Sequence, residues 1–238
     1  MKSTRIFLLG LATVLFAGHC FAQAQGYEYS KFEGSLDYSY ARWNPSNFPS
    51  GTIPGTTQHF GNGHSLNGGG GTFTYNINSW IGMKADLQGY GTHGTSSFFI
   101  PAGTTAILPQ GGVFGVSGNL FTYTFGPQVT LRAGRWNPYF NALFGGAHSN
   151  IYKNLDTAIC TAHPIINGGT CSVSNTFKNP SNNAFAMVIG GGLDVVITRH
   201  FTMRAGEVDY LLTRFSTNLV QTGNQNGLRV VTGFVFTF

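Results

Sequence analysis

The last residues of the chain, Gly227 to Phe238, read GLRVVTGFVFTF, and apolar side chains recur at every second position except Thr232. A spacing of two places side chains on the same face of a β-strand. The apolar face carries Leu228, Val230, Phe234, Phe236 and Phe238, and the other face carries Arg229, Val231, Gly233, Val235 and Thr237. This pattern fits either the last strand of a soluble sandwich or the closing strand of a membrane barrel. The phenylalanines would lie in the core in the first case and in lipid in the second.

Alternation of the same kind recurs upstream, in runs that each end at a turn or a loop. These runs cover residues 31–40, 70–77, 81–88, 119–132, 139–147, 184–197 and 201–212. In every run except 139–147, whose faces are mixed, one face is apolar and the other is polar or small. Repeated alternating segments of about ten residues are typical of transmembrane β-barrels.

Two of the runs contain an irregularity. The alternation changes phase between Met203 and Val208, which predicts a β-bulge near Ala205–Gly206, because one extra residue must be absorbed there. Pro127 cannot donate a hydrogen bond to a neighbouring strand, so we expect a bend or bulge at Gly126–Pro127.

The connections between the runs differ in length in a regular way. Those after the second, fourth and sixth runs are short, and long ones cover about 43–69, 90–118, 148–183 and 214–226. Short turns at one end and long loops at the other are typical of outer-membrane barrels. Trp43, Trp80, Trp136 and Tyr139 lie near strand ends, where we expect them to form aromatic girdles.

The charged residues within the runs nearly all fall on the polar face. In a soluble protein this face would meet solvent, whereas in a membrane barrel it would line the lumen. Near-balanced signs in a narrow interior predict a lumen plugged by ion pairs rather than a wide pore. We therefore predict an all-β, eight-stranded antiparallel up-and-down transmembrane β-barrel. The predicted lumen charge network is Lys31, Glu33, Asp37, Lys84, Asp86, Arg132, Asp194, Arg204, Glu207, Asp209 and Arg229.

The start of the chain has the pattern of a secretory signal peptide. Lys2 and Arg5 precede an apolar run, and Ala22-Gln23-Ala24 resembles a cleavage site. We expect a signal peptide over 1–24 and a barrel domain over 25–238. Loss of Lys2 and Arg5 lowers the formal charge from +5 to +3, and the remaining basic residues are scattered, so nucleic-acid binding is not expected.

Two cysteines remain after removal of the signal peptide, and both lie in the stretch CTAHPIINGGTC. In an oxidising compartment, Cys160 and Cys171 are expected to form a disulfide, the alternative being two free thiols.

The chain resembles the OmpA/OmpX-like family of small outer-membrane β-barrels of Gram-negative bacteria. The resemblance rests on the signal peptide, the alternating runs, FAMVIGGGLDVVITRH at 185–200, VDYLLTRF at 208–215 and FVFTF at 234–238. It implies a barrel of the porin family in outer-membrane lipid, with periplasmic chaperones and the barrel assembly machinery as partners during biogenesis. It also implies that Phe234, Phe236 and Phe238 form the signal read by that machinery. Some relatives carry a peptidoglycan-binding domain after the barrel, and none is expected here.

The long loops are the expected working surface. No Asp, Glu, Lys or Arg occurs from Trp43 through Met83 or from Leu87 through Leu131. We therefore expect a structural or surface-interaction role, with an extracellular ligand as a further partner. A small porin that passes small solutes and an outer-membrane lipid-modifying enzyme remain as alternatives.

The sequence predicts no catalytic, metal or cofactor-binding residues. His148–Ser149 and His64–Ser65 lack an evident third partner, and adjacent positions in a strand face opposite sides. The loop histidines His59, His64, His93 and His163 show no metal-ligand spacing.

Overall fold

The computed structural model describes residues 29–44, 51–52, 59–60, 64–92, 96–100, 111–132, 134–166, 169–172, 183–215 and 224–238. The predicted signal peptide, 1–24, lies outside these described residues. No helix among them is long and apolar enough to cross a membrane.

Eight strands form one closed barrel in which each strand is hydrogen-bonded to its neighbours along the chain and the last to the first. All of these pairings are antiparallel, which confirms the predicted fold class. The strands are β1 (Phe32–Trp43), β2 (His64–Asn76), β3 (Ile81–Thr92), β4 (Asn119–Thr130), β5 (Trp136–Ser149), β6 (Asn183–Thr198), β7 (Phe201–Arg214) and β8 (Gln225–Thr237).

The two ends of the barrel are unlike each other. One end, here called the short-turn rim, carries the turns at 77–80 and 199–200 and the described connecting residues 131–132 and 134–135. The other, the long-loop rim, carries short hairpins and one helix, α1 (Ile151–Ala162). The hairpins pair Gly51–Thr52 with His59–Phe60, Ser96–Ile100 with Gly112–Val116, and Ile165–Ile166 with Gly169–Thr170.

The alternation along each strand sorts the side chains between the outside and the lumen. Leu36 is 67% exposed on the outer face, while Asp37 beside it is 7% exposed and faces inward. The same contrast holds around the barrel, so the outer wall is apolar and the inner wall is mainly polar. Large apolar side chains exposed on this wall include Phe73, Leu87, Phe125, Phe140, Phe144, Val208, Val230 and Phe234.

The irregularity predicted in β7 is confirmed. The pairing of β7 with β8 shifts register between Arg204 and Glu207, so Ala205 and Gly206 form the bulge. Because of this shift, Arg204 and Glu207 both point into the lumen.

Of the two irregularities expected at Gly126–Pro127, a bend or a bulge, the bulge is absent. The β3–β4 register runs unbroken through Met83–Pro127 and Lys84–Gly126. Toward β5, the ladder passes from Phe125–Phe144 to Gln128–Asn141 in the same register. The missing N–H of Pro127 therefore interrupts pairing on one side without displacing the strand.

Two of the predicted girdle aromatics face the lumen instead. Trp43 is fully buried and Tyr139 is 6% exposed, whereas Trp80 and Trp136 are exposed at the short-turn rim. Trp43 has the same parity as Asp37 in β1, so the strand alternation itself directs the ring inward.

Candidate functional site

The lumen is filled at successive levels, as the inward positions of β1 illustrate. Glu33 lies at the short-turn rim, Asp37 lies further in, and Trp43 lies at the long-loop rim. These residues mark a polar mouth, a buried layer of charges, called the ionic layer, and an apolar region, called the plug.

The ionic layer centres on the carboxylate of Glu207, which is 1% exposed. Its Oε1 accepts hydrogen bonds from Lys84 Nζ at 2.8 Å and from Asn141 Nδ2 at 2.7 Å. Its Oε2 accepts a hydrogen bond from the Tyr139 hydroxyl at 2.8 Å. Lys84 also lies over the Tyr139 ring, 5.2 Å from its centroid. A buried carboxylate with several donors offsets much of its desolvation cost.

Two arginines extend the layer to the remaining carboxylates. The Arg204 guanidinium lies 3.3 Å from both Asp37 and Asp194. The Arg229 guanidinium lies 2.6 Å from Asp86 and 2.8 Å from Asp209. Both arginines also approach Glu207, at 3.3 Å and 3.8 Å. The ionic layer therefore joins side chains of β1, β3, β6, β7 and β8 across the interior.

The mouth at the short-turn rim is open. A cavity of about 720 Å³ is lined by Glu33, Gln128, Arg132, Asp194 and His200, among others. Arg132 Nη2 lies 2.7 Å from Glu33 Oε1. Lys31 also lines this cavity, but it precedes β1 and is exposed. The structure thus places Lys31 at the rim, away from the buried network.

The plug closes the opposite end of the lumen. Wall residues such as Trp43, Leu66 and Leu143 form one buried cluster with α1 and with residues of the Ser96–Ile100/Gly112–Val116 hairpin. Trp43 contacts Tyr152 and Phe215 edge-on, with ring centroids 6.2 Å away in each case. Its indole N–H donates to Thr213 Oγ1 at 3.1 Å.

Helix α1 is an element of the plug that the sequence pattern did not predict. It begins two residues after β5 ends, and its buried face carries Ile151, Tyr152, Leu155 and Ile159. That spacing repeats with the period of a helix. The helical spacing is therefore present in the sequence, but it is too short to distinguish this segment from a loop.

The buried face of α1 also contains an acidic residue. Asp156 is 3% exposed, and burial raises the pKa of this carboxyl to about 7. Burial likewise raises the pKa of the neighbouring Tyr152. The packed state of α1 is therefore favoured when the Asp156 carboxyl is protonated and neutral.

We expect the packing of α1 to weaken as pH rises. The pKa of an aspartate in an unfolded chain is about 4. Because the packed state binds the proton more tightly, the stability of α1 falls between about pH 4 and 7 and is constant above that range. Hydrogen exchange of the α1 amides, corrected for intrinsic rates, should show more opening at alkaline than at mildly acidic pH. Asp156→Asn should remove this dependence. Equal pH dependence in both proteins would contradict the assignment.

The structure contains the predicted disulfide between Cys160 and Cys171, whose sequence separation is 11. Both cysteines pack against the plug cluster. The bond therefore ties the last turn of α1 to the segment that follows it.

We expect Cys160→Ser/Cys171→Ser to loosen the packing of α1 in the plug while leaving the barrel folded. A short closed loop of this kind contributes about 2–3 kcal/mol. Proteolysis within 150–172 should be faster in the variant and in reduced wild type, while the heat-dependent gel shift of the barrel persists. Cleavage at the wild-type rate would show that the disulfide does not stabilise the packing of α1 in the plug.

The candidate catalytic pairs are separated by the wall. His148 is exposed and lies 2.9 Å from Asn183 Oδ1, whereas Ser149 is buried on the inner side. His64 is buried, whereas Ser65 contacts Tyr40 and Arg42. Within the described residues, no group of three His, Cys, Asp or Glu side chains could hold a metal ion.

The phenylalanines of the predicted assembly signal all lie on the outside of the barrel. Phe234 is 49%, Phe236 is 38% and Phe238 is 75% exposed. The backbone N–H of Phe238 donates to the carbonyl oxygen of Phe32, next to the point where β8 meets β1.

Comparisons with known proteins give structural matches only. No family model matches the chain, and no curated protein matches it. Neisserial surface protein A, from Neisseria, is 12% identical over 89% of this chain and 100% of its own, with a TM-score of 0.49. OprG of Pseudomonas aeruginosa is 12% identical over 90% and 98%, with a TM-score of 0.43. Ail of Yersinia pestis is 12% identical over 89% and 100%, with a TM-score of 0.39. The barrel assignment rests on the strand topology of this chain itself.

Proposed function

We propose that this chain is an integral outer-membrane β-barrel protein that does not conduct solutes and that acts through its long-loop rim. The proposed role is structural or surface-interacting and non-enzymatic. Insertion into the outer membrane would require periplasmic chaperones and the barrel assembly machinery, with Phe234, Phe236 and Phe238 as the proposed signal.

The membrane location is supported by the inverted distribution of side chains. The outer wall is apolar and aromatic, while the interior holds charged residues such as Lys84, Glu207 and Arg229. In water this arrangement would expose a large apolar surface, which soluble proteins avoid. In lipid, a closed barrel satisfies its backbone groups internally and presents the apolar wall to the acyl chains.

The observation that carries the non-conducting role is that the lumen is closed twice. The ionic layer spans the interior with paired charges, and the plug seals the long-loop end with buried apolar side chains. An eight-stranded barrel has an interior that side chains can fill. A solute would have to displace both obstacles.

The small-porin alternative has one observation in its favour. The cavity of about 720 Å³ enters the lumen from the short-turn rim, and Asp194 lines it. A conducting path would need α1 to leave the plug and the ionic layer to separate. Lipid modification has less support, because His64 and Ser65 lie on opposite faces of the wall, as do His148 and Ser149.

Membrane integration can be tested by refolding the mature chain into phosphatidylcholine vesicles. We expect an unheated sample to migrate differently from a boiled one on a denaturing gel, and the protein to resist extraction by urea or alkaline carbonate. Quantitative release by carbonate, with no heat-dependent shift, would contradict the proposal.

A further inference from the structure

Charges of opposite sign are segregated in this molecule. Among the residues that the structure describes, every exposed charged side chain is a cation: Lys31, Arg42, Arg135, Lys153, Arg199 and Arg214. All the described Asp and Glu side chains except Glu33 are buried, and Glu33 is paired with Arg132 at the mouth. The described outer surface therefore carries cationic side chains without exposed Asp or Glu side chains.

Two of these cations stand on neighbouring parts of the outer wall. Arg42 lies near the end of β1 and Arg214 ends β7, and β8 runs between these two strands. Two strand spacings place the backbones of β1 and β7 about 10 Å apart. Register places Arg42 opposite Leu228, and Leu228 opposite Tyr210. Arg214 follows Tyr210 by four positions, or about 13 Å along β7.

The side chains beside these arginines have the character of a membrane interface. On the outer face of β1, Leu36 is followed by Tyr38, Tyr40 and Arg42, so the wall changes from apolar to aromatic to cationic toward the long-loop rim. The Tyr38 hydroxyl donates to Asn67 Oδ1 at 2.8 Å. On the other side of β8, the Tyr210 hydroxyl donates to Asn226 Oδ1 at 2.6 Å. Interfacial tyrosines place their rings near the acyl chains and their hydroxyls among the headgroups.

Arg42 is held against the wall by a residue of β2, the neighbour of β1 on the side away from β8, and it retains donor capacity. Its Nη1 donates to Ser65 Oγ at 3.1 Å, and the Tyr40 hydroxyl lies 3.0 Å from the same oxygen. A guanidinium has five N–H donors, so this recorded bond leaves others for a ligand. Guanidinium groups bind phosphate oxygens through paired hydrogen bonds.

We propose that the outer wall from β1 across β8 to β7, here called the β8 patch, binds the phosphate of an anionic lipid headgroup. The patch consists of Arg42 with Tyr38 and Tyr40 beneath it, and of Arg214 with Tyr210 and Asn226 beneath it. Arg42 and Arg214 supply the charge, and the tyrosines set the depth at which the headgroup lies. The inference rests on the proposed membrane location and adds a lipid class and a position on the wall.

The test is lipid selection in nanodiscs of phosphatidylcholine that contain a minor fraction of phosphatidylglycerol. Native mass spectrometry would measure the ratio of the two lipids retained on the released barrel. Each cation near a lipid surface contributes about fivefold to anionic-lipid binding. We expect wild type to retain phosphatidylglycerol preferentially, and Arg42→Gln/Arg214→Gln to lower that enrichment at least about fivefold.

The matched control is Arg135→Gln/Lys153→Gln, which removes the same charge from exposed positions outside the patch. Arg135 lies at the opposite rim and Lys153 lies on α1, so we expect this pair to lower the enrichment less than Arg42→Gln/Arg214→Gln does. Equal losses in both pairs would overturn the proposal in favour of diffuse attraction. Absence of enrichment in wild type would also overturn it. If wild type retained inorganic phosphate in pure phosphatidylcholine discs, the ligand of the patch would be a free anion and not a lipid headgroup.

Failure of the proposed function would look different. The protein would then not enter nanodiscs as a heat-modifiable barrel, and both proposals would fall together. A folded barrel without lipid preference would overturn only the β8 patch.

Discussion

Glu207→Gln is expected to destabilise the barrel by about 3–5 kcal/mol, because it leaves a buried lysine without its ionic partner. The ion pair recorded for Lys84 within the described part of the chain is the one to Glu207, at 2.8 Å. Arg204 and Arg229 keep their aspartates in the variant. The measurement is the urea midpoint for loss of the heat-modifiable form in lipid vesicles.

A double variant distinguishes the effect of leaving Lys84 without its ionic partner from the effect of losing the Glu207 carboxylate itself. Lys84→Met/Glu207→Gln removes both charges, and we expect it to recover more than half of the lost stability, since replacing a whole buried pair is often neutral. Glu33→Gln is the matched control at the half-buried mouth, with an expected cost below about 1 kcal/mol. A Glu207→Gln midpoint indistinguishable from that of Glu33→Gln would refute the structural role of the ionic layer.

Trp43→Ala is expected to cost about 3–5 kcal/mol, because it empties a large fully buried site at the centre of the plug. The ring packs against both Tyr152 of α1 and Phe215 after β7, so its loss should also release the helix. We expect a lower urea midpoint together with faster hydrogen exchange in α1.

Two further tryptophan variants define what this site requires. Trp43→Phe keeps a ring and loses the hydrogen bond to Thr213, for an expected cost of about 1–2 kcal/mol. Trp136→Ala removes an exposed ring from the short-turn rim and should leave α1 exchange unchanged. If Trp136→Ala accelerated α1 exchange as much as Trp43→Ala, the plug assignment would be wrong.

Local pattern was enough to predict the barrel. Strand alternation assigns Asp37 to the lumen and Leu36 to the outside, and the loss of phase near Gly206 locates the bulge, because each depends only on neighbouring residues. The order of short turns and long loops is equally local. These features fix the number of strands and the inward face.

The closure of the lumen depends on contacts between distant residues, which one sequence does not reveal. Lys84 and Glu207 are 123 positions apart, and nothing in their local pattern distinguishes Glu207 from Asp194 as the centre of the ionic layer. Strand alternation alone predicts that the side chain of Trp43 faces the lumen, whereas its position near a strand end favours an aromatic girdle. The helical spacing of α1 is brief, and its role appears only when Tyr152 meets Trp43.

The segregation of charge bears on both the closed lumen and the β8 patch. Carboxylates such as Glu207 and Asp209 are buried in the interior. Exposed cations such as Arg42 and Arg214 therefore have no exposed Asp or Glu neighbours on the described surface. The same distribution therefore closes the lumen and makes the outer wall attractive to anionic headgroups.

The closed lumen can be tested by planar-bilayer conductance of the refolded mature chain. Folding would first be established by the heat-dependent gel shift. We expect a silent bilayer, because the ionic layer and the plug both block the lumen. Discrete and reproducible conductance steps from the folded wild-type barrel would contradict this expectation and would identify a small porin.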